Sequence, residues 1–114
     1  MFDPISIAIY ISLALAAIAV VAITIDAIVD GTKDWEATKG STIAITEDEA
    51  ADISERLRAK LHQKKIAEGK TKIAAALHYN EAIGKLHDNR TFVSDEIDGE
   101  FERAGLVVIR QGPA

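Results

Sequence analysis

Residues 5–25 read ISIAIYISLALAAIAVVAITI, 21 positions without a charge, and this run limits what the chain can fold into more than any other feature. As a helix it would rise about 1.5 Å per residue and reach about 30 Å, the thickness of a bilayer core. Its polar side chains are Ser6, Tyr10, Ser12 and Thr24, whose hydroxyls can bond back to helix carbonyls. Asp3 suits an N-cap, Pro4 the first helical position and Gly31 a stop. A cleaved signal peptide would need a basic start, which MFDP does not supply. A strand reading begins well at Ile5, Ile7, Ile9 and Ile11, but the alternation fails over 13–19 and the alanines favour helix. The pattern therefore predicts a membrane-spanning helix. Its rival is a helix buried between subunits, because a helix apolar on all sides must be hidden by something.

Placed at 100° per residue, Ala8, Ser12, Ala16, Ala19, Ala22 and Asp26 fall on one face of that helix. Small residues every three or four positions let helices approach closely, so this stripe is the expected helix-packing interface. Asp26 at its end would meet a counterpart, a partner's base or interfacial water. Lys33 and Lys39 follow the run with Trp35 between them, and no Lys or Arg precedes it. The positive-inside tendency then makes the protein single-pass, with its C-terminal domain cytoplasmic.

The whole chain is 114 residues, enough for one small domain beyond the apolar run. With no cysteine it has no disulfide scaffold, cysteine zinc site, iron–sulfur cluster or thiol nucleophile. A net charge of −5 argues against a basic nucleic-acid surface.

The sequence divides into a hydrophobic helix over 1–30, a polar linker over 31–40 and a small α/β domain over 41–114. Within the last, 42–46 alternates briefly as a strand. TEDE at 46–49 is a capping box, opening a helix to about residue 66 with Ala50, Ile53, Leu57 and Leu61 on its inner stripe. Acidic residues at its start and lysines at its end complement the helix dipole. Residues 72–79 and 85–93 form two strands around a turn, with Ile73, Ala75, Leu77 and Tyr79 on one side. Ser94 caps a short helix over 95–103, and 106–109 is a last apolar strand. The fold class is α+β: a transmembrane-like helix carrying a head ordered β-α-β-β-α-β, as in a split βαβ unit. Without the first strand, the head reduces to a three-stranded sheet on one long helix.

Chemistry is sparse. With 81–84 as the turn, His78 faces His87 across the hairpin with Asp88 adjacent, but no third metal ligand is apparent, and two half-exposed strand residues explain the pair. His62 lies on the charged side of the long helix. Ser41, Ser54 and Ser94 lack the Gly-flanked turn of a hydrolase elbow. Asp95–Glu96 and Glu100–Glu102 have no apolar pocket to raise a pKa. GKTK at 69–72 lacks P-loop spacing, and Asn89-Arg90-Thr91 fits a glycosylation sequon that matters only in a secretory lumen. Lys64, Lys65, Lys70 and Lys72 make a modest basic cluster that reads as a solubilising surface. No cofactor, metal or catalytic residue is expected.

An apolar N-terminal helix carrying a small α/β head resembles pilin-type filament subunits in plan. The basic leader, its processing site and the glutamate near the start of the mature pilin helix are missing, so no residue role is implied. The expectation is a non-enzymatic single-pass membrane protein that contacts lipid, oligomerises through its N-terminal helix and serves a larger complex in anchoring or assembly. The alternative is a structural subunit of a filament, virion or other particle, with its apolar helices in a shared core.

Overall fold

A computed structural model describes residues 17–80 and 85–111. The alternation at 72–80 and the polar break after it produce a long hairpin, β3 (Lys72–Asn80) with β4 (Lys85–Ser94). Around it lie β1 (Ala17–Ala19), α1 (Ile25–Gly31), a 3-10 turn (Lys33–Ala37), β2 (Ser41–Thr46), α2 (Glu47–Ile53), α3 (Glu55–Ala67), α4 (Gly99–Ala104) and β5 (Leu106–Arg110). The five strands form one sheet in the order β1-β4-β3-β2-β5. β1 runs parallel to β4, and the other pairs are antiparallel.

Both faces of the sheet are covered, so two cores form. On one face Ile43, Ile45, Ile73, Ala75, Leu77, Tyr79 and Val93 meet Ala50, Leu57 and Leu61 of α2 and α3. On the other, Ala44, Ala74, Ala76 and Phe92 meet Ile23, Ile28, Trp35 and Phe101. The period of two sends alternate residues to opposite faces, and with both faces covered β2 is buried along its whole length.

The expected membrane helix is overturned. Ala17, Ile18 and Ala19 pair with Thr91, Phe92 and Val93 as a strand, and the Val20 amide donates to the Val93 carbonyl at 3.1 Å. Ile23 forms a bridge to Ile97 and is fully buried, and Thr24 then caps α1 by accepting from the Ala27 amide at 3.0 Å. The physical reason is competition: Ile18 and Val20 line up along the edge of β4 and Ile23 fills the second core, although Val21 stays exposed. No helix among the described residues is long and apolar enough to cross a membrane. The uncharged run over 5–16 lies outside the described residues. The transmembrane and single-pass assignment, the cytoplasmic orientation derived from it and the pilin-like outline all lapse.

Four further expectations are corrected. The strands flanking α2 and α3 are adjacent and antiparallel, whereas a split βαβ unit makes them parallel with another strand between. The reduced three-stranded version fails as well, since β2 is paired on both edges. The long helix is two helices, broken at Ser54, whose backbone is extended (φ −162°, ψ 123°) and whose Oγ accepts from the Leu57 amide. The last helix starts at Gly99 under an Asp98 cap, while the Ser94 hydroxyl donates to the Val21 carbonyl at 2.8 Å and accepts from the Glu96 amide.

Candidate functional site

Two β-bulges sit at the same end of the sheet. In the β2–β5 pair, Ile43 faces Val108 but Thr42 faces Arg110, so Ile109 is the extra residue. In the β3–β4 pair, Tyr79 faces Leu86 but His78 faces Asp88, so His87 is extra. Thr42 and His78 are themselves partners. Arg110, Thr42, His78 and Asp88 therefore form one row across four strands. Bulges re-aim side chains and concentrate beside functional sites, which makes this end the place to look for chemistry.

Trp35, carried by the 3-10 turn, lies on that row. Its ring stacks on His78 with centroids 5.3 Å apart and planes 22° apart. Its Nε1–H donates to Asp88 Oδ2 at 3.2 Å, and the Arg90 guanidinium sits 4.6 Å from the ring centroid. Arg90 also donates to both Asp34 carboxylate oxygens, one at 2.6 Å, and to the Gly31 carbonyl at 2.9 Å. Arg110 donates to Thr32 Oγ1 and to the Val29 carbonyl, both at 3.0 Å, and pairs with Glu36 at 3.5 Å. Gly40 closes the segment. Its φ of +137° disfavours an L side chain, and a Cβ there would lie 2.5 Å from the Tyr79 carbonyl oxygen and 3.2 Å from His78 Nε2.

Electrostatics follow from this packing. The Arg90 hydrogen bond holds the Asp34 carboxyl well below the ordinary range, at about 2. His78 is shifted toward its neutral form by burial first, then by the proximity of His87 and of the Arg110 guanidinium, with Asp88 and the backbone at Lys39 opposing. His78 Nδ1 lies 3.1 Å from Thr42 Oγ1, and its Nε2 is buried without a hydrogen-bond partner among the described residues. A hydroxyl beside an imidazole is formally a nucleophile with its base. Here both are sealed, Thr42 at 0% and His78 at 1% exposure, which leaves no approach for a substrate. Beside this cluster runs an open groove of about 330 Å³ between Trp35–Gly40 and Arg110–Gln111.

The residues singled out from sequence fall elsewhere or change character. Ala8, Ser12 and Ala16 lie outside the described residues. Ala19 is in β1, Ala22 in the link after it and Asp26 exposed in the first turn of α1, so these three do not share a helix. His78 and His87 do come together, with ring centroids 6.0 Å apart, but His78 is buried and only His87 is exposed. Among the described residues no group of three or more His, Asp or Glu is placed to hold a metal. His62 meets Glu47 at 3.2 Å, and Glu47 also takes Lys65 at 2.6 Å. Lys72 pairs with Glu102 and Lys70 with Asp95, so half of the basic cluster is tied into the last helix and the turn before it. Asn89 of the sequon is buried in β4. Sequence reading missed Trp35, Arg90 and Arg110. Their charge and aromatic character were visible, but the bulges that gather them are not encoded in any local pattern. No family model, curated protein or solved structure matches this chain.

Proposed function

We propose that this protein is a non-enzymatic assembly subunit that joins a second copy of itself along the β1 edge of the sheet, as a structural or accessory part of a larger complex. The observation that carries this reading is the character of that edge. Ile18 is 37% exposed and Val21 is 94% exposed, and no charge occurs anywhere from residue 5 to residue 25. Open edges are normally blunted by charge, proline or a bulge. β5, at the opposite edge, carries both a bulge at Ile109 and the charge of Arg110, whereas β1 carries neither.

Pairing of β1 with β1 about a two-fold axis gives a closed dimer, while pairing of β1 with β5 would repeat without closing and give a filament. The unprotected edge favours the closed form. The sealing of the hydroxyl–imidazole pair beneath Trp35 and Gly40 is consistent with this role. Light scattering coupled to size exclusion tests the proposal on the full chain. The wild type is expected to run at a multiple of 12.3 kDa. Ile18→Lys combined with Val21→Lys should reduce it to monomer, and Val108→Lys on the β5 edge should leave it assembled. A wild-type monomer at every concentration, or equal loss in both variants, overturns the proposal.

A further inference from the structure

The segment 33–40 crosses the end of the sheet as a strap, and its attachments differ in kind. Asp34–Arg90, a two-oxygen contact, and Glu36–Arg110 are ion pairs whose carboxylate side chains are 65% and 60% exposed, so solvent screens both. The buried attachment is the stack of Trp35 on His78, backed by the close approach of Gly40. We infer that Trp35 and His78 form a proton-sensitive latch, which keeps this strap down while His78 is neutral and releases it when His78 takes up a proton.

The charges facing His78 decide the direction. The strap brings the neutral Trp35 ring and the backbone at Lys39, and β2 brings the Thr42 hydroxyl. β4 brings His87 and Asp88, with Arg90 one pair further along, and β5 brings Arg110. Asp34 and Glu36 are already engaged by Arg90 and Arg110. Asp88 is the carboxylate that opposes the cations, and it already accepts from Trp35 Nε1. A proton on His78 therefore places a buried charge beside His87 and Arg110 and competes with Trp35 for Asp88. Burial first, then His87 and Arg110, hold His78 below its ordinary value of 6.5. Between that value and the lower folded one the released ring binds more protons, so closure is complete above pH 6.5 and is lost as the pH falls below it.

Trp35 is the only tryptophan in the chain, so its fluorescence reports the latch without labelling. The full-length protein is titrated from pH 8 to about pH 5, the range in which imidazoles change charge, with acrylamide quenching and far-UV circular dichroism read at each step. Trp35 is 4% exposed when latched, so the quenching constant should rise several-fold at a midpoint below 6.5 while the dichroism stays constant. His87→Gln removes a group that disfavours the protonated His78 in the closed latch and should lower the midpoint. His78→Gln should abolish the transition. If that variant does not fold, Asp88→Asn supplies the check, because removing the anion that stabilises a protonated His78 and anchors Trp35 should raise the midpoint. Constant quenching, a rise that coincides with loss of dichroism, or a midpoint indifferent to His87→Gln overturns the inference. None of these readouts depends on the oligomeric state.

Discussion

Phe92 occupies the second core because the positions around it are small. It faces Ala74 across the β3–β4 pair and shares the core with Ala44 and Ala76. Gly31, the last residue of α1, comes down on the edge of its ring. A Cβ at Gly31 would lie 2.5 Å from Phe92 Cε2 and 2.8 Å from Cζ, closer than carbon atoms approach. The ring is fully buried, so it has nowhere to retreat. Gly31 is thus required for space rather than for an unusual backbone angle, unlike Gly40 and Gly105, whose φ values are positive. Gly31→Ala should cost about 1–3 kcal/mol, the usual penalty for overpacking a filled core. The measurement is urea unfolding, with the midpoint lowered and the slope unchanged. An unchanged midpoint would mean that α1 can lift from the sheet at little cost.

At the scale of elements, α2 and α3 show what a periodic sequence conceals. Ala50, Ile53, Leu57 and Leu61 keep an unbroken apolar stripe from one helix into the next, so periodicity alone reads a single helix. The break at Ser54 is made by one side chain. Its Oγ accepts from the Leu57 amide, as Thr46 Oγ1 accepts from Glu49 at the start of α2. Ser54→Ala removes a cap and should lower stability by about 1 kcal/mol, measured by chemical denaturation. No loss would indicate that the two helices merge when the cap is removed. The same contrast runs through the rest of the chain. The N-cap at Thr46 and the inner side of β3 were legible, because each depends on residues within a few positions; the return bond of the capping box is not formed, since the Thr46 amide donates to the Gly105 carbonyl instead. The candidate site was not. It rests on two single-residue bulges and on a tryptophan buried by a turn that reads as polar linker, and these follow from pairings between distant strands.

At the scale of the molecule, the fate of residues 17–25 is a contest between local preference and a distant edge. The alanine-rich run favours helix locally, yet it pairs with residues 91–93, more than seventy positions away. That contact is short and one-sided. Among the described residues β1 has three residues paired with β4 alone, whereas β3 is paired along both edges and buried between its two end residues. Opening of β1 therefore need not disturb the rest of the sheet, and its amides should exchange with solvent orders of magnitude faster than those of β3. The inward bond from the Val20 amide to Val93 fixes which groups face out, since amides alternate along a strand. By that alternation the Ala19 amide points to the open edge, where a second copy would accept it. In hydrogen exchange followed by mass spectrometry, protection of 17–20 should rise with protein concentration, while protection of β3 and β5 stays constant. Pairing through β5 would reverse that pattern between the two edges. If protection of 17–20 ignores concentration in a protein heavier than its monomer, the copies meet somewhere other than the β1 edge.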